Sequence, residues 1–232
     1  MTLKFGCFVT GTDTNVGKTL IAAALLHRCV ARGWRSIGMK PVAAGCQLDA
    51  QGQGGHEDVA TLCAASNMQA AMEDINPYVF REAIAPHLAA QHEGVTIESA
   101  RILSAYARLA SQADALVVEG AGGFVIPLDM AAGFNSADLA RDLALPVVLT
   151  VGMRLGCLNH ALLTQEAIAA RGLKLAGWVA NTVDSAMPCF DENLHTLRSL
   201  LHAPLLGVVP FMRQPDARQV AEYLVLPEVE TR

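Results

Sequence analysis

The sequence predicts an α/β fold in which helices cover both faces of a mostly parallel β-sheet. Short apolar, β-branched runs alternate along the chain with longer stretches of helical periodicity, and this alternation is typical of βαβ units. The composition agrees, because 52% of the residues are hydrophobic and 17% are charged, a balance that suits strands buried on both faces. With 232 residues the chain can bury a large core, and we expect one domain over residues 1–232.

Six strands are predicted in chain order, each from a short apolar run. They span Phe5–Thr10, Ser36–Lys40, Ala115–Glu119, Pro146–Val151, Leu175–Asn181 and Leu205–Pro210. Helical periodicity predicts helices over Lys18–Ala31 and Leu158–Arg171, among others. Because ligands of open α/β sheets bind outside the carboxyl ends of the strands, we expect the functional site where these six strands end.

Composition and patterning also narrow the partners. The net charge of −5 disfavours a polyanion, so no nucleic-acid partner is expected. The longest charge-free apolar run, LALPVVLTVGM, is shorter than the ~20 residues that span a bilayer, so no membrane partner is expected either. The N-terminus shows no signal-peptide cleavage site and the cysteines form no C-x-x-C pair, which favours a cytoplasmic protein. A Gly- and Gln-rich stretch over residues 45–56 predicts a mobile loop.

The segment GTDTNVGKT, residues 11–19, follows the first strand and opens the first helix. A strand, a glycine-containing loop and a helix that begins with GKT form a phosphate-binding arrangement, because backbone N–H groups converge there on an anion. Lys18 is expected to reach the outer phosphates of a nucleotide, and the Thr19 hydroxyl to hold Mg2+. Five residues, not four, separate Gly11 from Gly17, so the loop is a variant of the common pattern. An ordinary βα turn with a surface lysine is the simpler alternative.

Asp13 bears on a second class of nucleotide-binding protein. ParA/MinD-like switch ATPases carry a signature lysine five positions before the phosphate-loop lysine, and this chain has Asp13 there. The reversed charge argues against such a switch, which remains the alternative function and predicts slow ATP turnover without a small substrate. A small-molecule kinase is a further alternative, although the sequence shows no Arg-rich lid segment of the kind that closes over a transferred phosphate.

Charged and polar residues at other strand ends complete the predicted site. Glu119 ends a predicted strand and Asp58 lies at a predicted helix start, and both carboxylates offer oxygen ligands to Mg2+. The alternatives are an exposed glutamate at the strand end for Glu119 and a helix cap for Asp58. Lys40, one of four lysines, ends the second predicted strand, and its compact ammonium can stabilise a phosphoryl group as its charge moves during transfer. The alternative is a lysine exposed to solvent. The amide of Asn181 matches the hydrogen-bonding edge of adenine, or caps a turn.

Seven segments, in order over nearly the whole chain, resemble the dethiobiotin synthetase family. They are GTDTNVGKT, GMKPVAAG, HEDVA, VVEGAGGFVIPL, VGMRLGCLNHALLT, GWVAN and LLGVVPFM. The resemblance implies a P-loop NTPase-like fold and a ligase that joins 7,8-diaminopelargonic acid and CO2, or bicarbonate, into dethiobiotin for biotin biosynthesis. It implies ATP as co-substrate, a carbamate and a carbamic-phosphoric mixed anhydride as intermediates, and release of ADP and phosphate.

The resemblance also implies roles for residues of this chain. The implied catalytic residues are Thr14, Lys18 and Lys40, and the implied Mg2+ ligands are Thr19, Asp58 and Glu119. The implied nucleotide-binding residues are Asn15, Val16, Gly17, Lys18, Thr19, Asp58, Glu119, Gly120, Ala121, Gly122, Asn181, Thr182, Pro210, Phe211 and Met212. The implied substrate-binding residues are Lys40, Ala44, Gly156, Cys157, Leu158 and Asn159. The last four are expected from the neighbouring subunit of a homodimer, because free N–H groups at a helix start receive a carboxylate.

Ala44 departs from the family pattern. Members of the family commonly carry serine at this position, within KPVASG, whereas this chain reads KPVAAG. A hydroxyl contact to the substrate or the carbamate is therefore lost. Since one neutral hydrogen bond contributes about 0.5–1.5 kcal/mol, we expect weaker substrate binding and not an inactive enzyme.

Overall fold

The computed structural model describes residues 3–48 and 54–228. The strands in these ranges are β1 (Phe5–Gly11), β2 (Ser36–Met39), β3 (Val42–Ala44), β4 (Gln47–Leu48), β5 (Gly54–Gly55), β6 (Tyr78–Phe80), β7 (Ala115–Glu119), β8 (Pro127–Asp129), β9 (Phe134–Asn135), β10 (Val147–Met153), β11 (Leu175–Thr182) and β12 (Leu205–Val209). The helices are α1 (Lys18–Ala31), α2 (Glu57–Ala65), α3 (Met72–Ile75), α4 (Pro86–His92), α5 (Ser99–Ala110), α6 (Ser136–Leu143), α7 (Cys157–Ala170), α8 (Phe190–Leu200) and α9 (Ala217–Ala221). None of these helices is long and apolar enough to cross a membrane.

Six of the strands form one parallel sheet in the order β12-β11-β10-β1-β7-β2. From the central strand β1 the chain runs to the edge strand β2, returns through β7 and then crosses to β10 on the other side of β1. The strand order therefore changes direction between β1 and β10. Open α/β sheets bind ligands at such a point, and the phosphate loop follows β1 directly.

The central strand β1 illustrates why helices cover both faces of the sheet. All seven of its residues are buried. Phe8 packs into an apolar cluster with residues of α5 and α6, whereas Cys7 and Val9 pack into a second cluster with residues of α1 and α9. Because successive side chains of a strand point to opposite faces, each face needs its own apolar layer. The predicted α/β fold is confirmed, and its main sheet is parallel throughout.

The predicted elements differ from the observed ones mainly at their ends. The helix Lys18–Ala31 has the predicted bounds, and the second named helix runs over Cys157–Ala170, one residue earlier than predicted. Lys40 and Pro210, predicted as last residues of strands, come directly after β2 and β12. The short ladders β3–β6, β4–β5 and β8–β9 were not predicted. The middle of the loop predicted over 45–56 lies outside the described residues, and its flanks pair as β4 and β5.

Candidate active site

The phosphate loop joins β1 to α1 and leaves the start of α1 open. Gly17 precedes the helix with φ of 90°, a left-handed value that glycine adopts without strain. A side chain at Gly17 would also collide with the Asn181 amide. No side chain among the described residues caps the first N–H groups of α1, and its first turn carries no acidic residue. These N–H groups can therefore bind an anion.

Contacts from β10 and β11 hold the loop in place. Val16 is fully buried, and a Cβ on Gly152 would lie 2.7 Å from its side chain. The buried Asn181 Nδ2 donates a hydrogen bond to the Val16 carbonyl oxygen at 2.8 Å. On the solvent side, Arg154 Nη2 lies 2.5 Å from Asp13 Oδ2. The loop backbone is thus fixed before any nucleotide binds, which lowers the entropy cost of binding one.

Lys18 lies at the start of α1 with its ammonium folded back on the loop. Its Nζ donates to the Asp13 carbonyl oxygen at 2.9 Å, and the residue is only 7% exposed. Burial, followed by the ammonium of Lys40, lowers the pKa of Lys18 to about 8, although the carboxylates of Glu119 and Asp58 oppose the shift. Phosphate charge would raise this pKa again, so the group suits an anionic ligand.

Lys40 lies between two carboxylates. Its Nζ is 2.6 Å from Glu119 Oε1 and 2.9 Å from Asp58 Oδ2, and it donates to the Gly120 carbonyl oxygen at 3.2 Å. Burial by itself would lower the pKa of Lys40, but the two carboxylates outweigh it and hold the pKa above its usual value. Burial would raise the pKa of Asp58, and Lys40 outweighs that effect, so this pKa is lowered. The cluster is therefore charged and internally compensated.

The predicted Mg2+ ligands meet at this cluster. The Thr19 hydroxyl donates to Glu119 Oε1 at 2.8 Å, and Asp58 reaches the same Lys40 ammonium. The second oxygen of the fully buried Glu119 carboxylate, Oε2, has no hydrogen-bond partner among the described residues. A hydroxyl and two carboxylates are the oxygen ligands that Mg2+ prefers, and an unpartnered buried oxygen can accept a cation. The residues present therefore fit Mg2+. Among the described residues, no three His, Cys, Asp or Glu side chains lie close enough together to hold a metal ion by themselves.

These side chains line a cavity of about 700 Å³ outside the carboxyl ends of β1, β2 and β7, which we call the carboxyl-end cavity. Eleven residues implied by the family resemblance line it: Thr14, Asn15, Gly17, Lys18, Thr19, Lys40, Ala44, Asp58, Glu119, Ala121 and Gly122. Val16 and Gly120 are buried behind its wall. The structure thus brings together the predicted phosphate loop, both lysines and all three predicted metal ligands.

The residues expected around adenine lie beside one another at neighbouring strand ends, next to the phosphate loop. Asn181 pairs in register with Val209, the last residue of β12, and Pro210, Phe211 and Met212 follow that strand end in the chain. Phe211 is 45% exposed, and Thr182 ends β11. The Asn181 amide nitrogen donates to the phosphate loop, at the Val16 carbonyl oxygen, and this contact was not predicted. The adenine role stays a prediction.

Four predicted substrate residues do not reach this cavity. Gly156, Cys157, Leu158 and Asn159 lie at the start of α7, and none of them lines the cavity of the same chain. Gly156 has φ of 94°, and no side chain caps the helix. Gly156 and Asn159 are exposed, whereas the Cys157 side chain is buried against the core. The homodimer role of this helix start stays a prediction.

Three residues near the site were not anticipated from the sequence. Asn76 Nδ2 donates to the Lys40 carbonyl oxygen at 2.6 Å and so fixes the backbone of that lysine. His56 lines the cavity and caps α2. Arg154 pairs with Asp13 across the loop. His56 is a polar residue directly before the acidic residues of HEDVA, a position where a helix cap is expected. The contacts of Asn76 and Arg154 join segments that are distant in the chain, so no local sequence pattern indicates them.

The fold and this site define a class, a nucleotide-binding α/β protein with its phosphate loop between β1 and α1. A family model described as an AAA domain matches residues 6–219. Among solved structures, the septum site-determining protein MinD from Pyrococcus horikoshii, complexed with Mg-ADP, is similar with a TM-score of 0.57 at 14% identity, covering 94% of this chain and 85% of that one. At this identity the likeness shows the fold alone.

Known relatives narrow the class to one family. The ATP-dependent dethiobiotin synthetase BioD of Aromatoleum aromaticum is 53% identical over 227 residues, covering 98% of this chain and 100% of the relative. The protein of the same name from Janthinobacterium sp. is 50% identical, covering 97% and 95%. The chain therefore belongs to the ATP-dependent dethiobiotin synthetase family, as its seven sequence segments predicted.

Proposed function

We propose that the protein is a ligase that forms dethiobiotin from 7,8-diaminopelargonic acid, CO2 and ATP, releasing ADP and phosphate. Family membership supports the overall reaction. One observation of this chain carries the assignment to a site, the meeting of Lys18, Lys40 and the Glu119 carboxylate in the carboxyl-end cavity. As part of the proposal, residues 1–232 form one domain that works in the cytoplasm, without a nucleic-acid or membrane partner.

The reaction balances in three steps without a protein nucleophile. One amine of the substrate attacks CO2 and loses a proton, which gives a carbamate. A carbamate oxygen then attacks the γ-phosphorus of ATP, the bond to the bridging oxygen breaks, and ADP leaves with the electron pair. The second amine attacks the carbonyl carbon of the mixed anhydride, phosphate leaves, and the nitrogen loses a proton as the cyclic urea closes.

The two buried lysines supply the electrostatic part of this chemistry. Phosphoryl transfer is catalysed mainly by positioning and by stabilising spread negative charge. Lys18 is placed by the phosphate loop for the outer phosphates, and Lys40 by β2 for the carbamate and the transferring phosphoryl group. Both lysine residues are less than one-tenth exposed, so their charges act with little screening by water. Thr14, an exposed residue of the phosphate loop, is proposed to contact the phosphoryl group during its transfer.

Thr19, Asp58 and Glu119 are proposed to hold Mg2+, for which their oxygens fit. A bound Mg2+ would neutralise phosphate charge as a Lewis acid. The same carboxylates hold Lys40 in the present structure, so Glu119 in particular positions the lysine as well as the metal. Asn15 to Gly17 and Gly120 to Gly122 are proposed to border the nucleotide, and Asn181, Thr182 and Pro210–Met212 its adenine.

The substrate is proposed to lie between Lys40 and Ala44 in one chain and the start of α7 in a second. The exposed Gly156–Asn159 segment offers N–H groups to the substrate carboxylate. Exposed apolar side chains support an interface there, since Leu155 is 86% and Leu163 is 55% exposed. The Cys157 side chain is buried and its backbone N–H donates to the Arg154 carbonyl oxygen at 3.0 Å, so a contact of Cys157 to the substrate would require its N–H to leave that bond. A homodimer would complete the site.

Mass spectrometry of the products tests the proposal. The purified protein is mixed with ATP, Mg2+, bicarbonate and 7,8-diaminopelargonic acid, beside the variants Lys18→Gln and Lys174→Gln. The wild type and the exposed-lysine control Lys174→Gln should give dethiobiotin, ADP and phosphate in equal amounts, and Lys18→Gln should give none. ATP hydrolysis without dethiobiotin would favour the switch ATPase, and a phosphorylated substrate would favour a kinase.

A further inference from the structure

His56 lines the carboxyl-end cavity, and both of its ring nitrogens are engaged. It is the residue before α2, and its side chain is 14% exposed. The Asp58 backbone N–H donates to Nδ1 at 3.2 Å, while Nε2 lies 3.0 Å from the Ala44 carbonyl oxygen. The same Nδ1 is 3.8 Å from the Asp58 carboxylate. One side chain therefore contacts two segments that both border the cavity.

The partners fix the protonation of the ring. The Asp58 N–H can only donate, so Nδ1 must be an unprotonated acceptor. The Ala44 carbonyl oxygen can only accept, so Nε2 must carry the proton. The tautomer with its proton on Nε2 satisfies both bonds. Neither nitrogen is then free to take a proton from a substrate, so the ring does not act as a general base in this arrangement.

The two contacts join the end of β3 to the beginning of α2. Ala44 is the last residue of β3, and Asp58 lies in the first turn of α2, with its carboxylate directed at Lys40. The side chains that bind metal–nucleotide complexes need to be held in place by a further layer of hydrogen bonds. The Ala44 backbone pairs with Phe80 of β6, and the His56 contact joins it to the beginning of α2 as well.

We infer that His56 is a positioning residue, which fixes the Asp58 carboxylate relative to the Ala44 end of β3 through its two ring nitrogens. The inference rests on the proposed function only in taking Asp58 as a ligand of the metal–nucleotide complex. It goes beyond helix capping, because a cap requires Nδ1 alone. The bridge to Ala44 is the part that sets where the helix start lies in the cavity.

Three substitutions separate the two bonds. His56→Asn keeps an acceptor for the Asp58 N–H but is too short to reach Ala44. His56→Gln keeps a donor where Nε2 lies but loses the cap, and His56→Ala loses both. His202→Asn, on the surface, is the control. For each protein the thermal unfolding midpoint is measured, together with the affinity for Mn2+–ADP by electron paramagnetic resonance.

The inference predicts that His56→Asn unfolds at the wild-type temperature yet binds Mn2+–ADP about tenfold more weakly, the usual effect of losing an outer hydrogen bond at a metal site. His56→Gln should recover most of the affinity, and His56→Ala should be weakest. His56→Asn binding as tightly as the wild type, or His56→Gln as weakly as His56→Ala, would overturn it. Failure of the wild type to make dethiobiotin would overturn the proposed function and leave these affinities unaffected.

Discussion

The two ends of the parallel sheet carry cavities of comparable size, but the charged side chains that line them differ in how far they are exposed to water. The carboxyl-end cavity measures about 700 Å³ and the amino-end cavity, lined by Lys4, Arg141, Arg171 and Lys174 among others, about 490 Å³. The amino-end cavity has more basic residues in its wall. Yet the Lys4 and Arg141 side chains there are more than half exposed, with the carboxylates of Asp114 and Asp142 beside them.

Burial of charge, and not the number of charges, distinguishes the carboxyl-end cavity from the amino-end cavity. At the amino end, Arg141 and Arg171 stand where α6 and α7 end, a position that favours cations through the helix dipole. Water screens the exposed charges of Lys4 and Arg141, and Arg171 is half-buried beside the Asp138 carboxylate. At the carboxyl end, Lys40 and Glu119 are 4% and 0% exposed. Burial costs free energy, so such charges remain where function requires them.

The largest expected contrast is catalytic, between two lysines. Lys40→Gln should lower kcat on the order of 10³-fold, because a preorganised charge at the reacting phosphoryl group is lost. Lys174→Gln, which changes the amino-end cavity, should leave kcat and KM unchanged. Dethiobiotin formation under saturating substrates measures both. Equal losses in the two variants would break the distinction between the cavities.

The second contrast concerns stability. Lys40→Met leaves the buried Glu119 carboxylate without its cation, and the free energy of unfolding should fall by about 3–5 kcal/mol. Lys4→Met removes an exposed partner of Asp114 and should change it by about 0.5 kcal/mol or less. Denaturant unfolding measures both values. Combining Lys40→Met with Glu119→Gln should restore most of the loss; a double variant as unstable as the single one would contradict this reasoning.

The third prediction follows from the pKa of Lys18, which is lowered to about 8. Below pH 8 the ammonium is charged and attracts phosphate, and above it the neutral amine does not. ADP affinity should therefore fall roughly fivefold between pH 8 and pH 9, with proton uptake on binding. Calorimetry in buffers of different ionisation enthalpy detects that uptake. Lys18→Gln should show neither effect, and a flat wild-type profile would argue that Lys18 remains fully charged.

The smallest expected effect compares two ion pairs that each contain an exposed side chain. The Asp13 and Arg154 side chains at the carboxyl end are 45% and 39% exposed, and the Lys4 and Asp114 side chains at the amino end are 55% and 14% exposed. Because water reaches at least one side chain of each pair, both pairs should couple weakly. Double-mutant cycles with Asp13→Asn and Arg154→Gln, and with the matching changes at Lys4 and Asp114, should each give a coupling of about 0.2–1 kcal/mol in unfolding free energy. A much stronger coupling at Asp13 would show that location matters apart from burial.

The sequence predicted the parts of this site that depend on local pattern. Alternating apolar runs gave the strands of the sheet, and GKT at a strand–helix junction placed Lys18 and Thr19. Chain topology then explains why Glu119 and Lys40 meet, since β7 lies beside β2. Contacts such as His56 with Ala44, or Asn181 with Val16, join segments whose packing no local pattern encodes. The family resemblance implied that the start of α7 serves the neighbouring subunit, and none of its residues Gly156 to Asn159 lines the cavity of this chain.

The carboxyl-end cavity is proposed to transfer a phosphoryl group from ATP to a carbamate. The most direct test supplies freshly dissolved bicarbonate labelled with oxygen-18, together with ATP, Mg2+ and 7,8-diaminopelargonic acid, and follows the released phosphate by phosphorus NMR. Since the attacking carbamate oxygen leaves with phosphate when the ring closes, label should appear in phosphate in step with dethiobiotin, and Lys40→Gln should abolish both. Dethiobiotin formed with unlabelled phosphate would contradict the account.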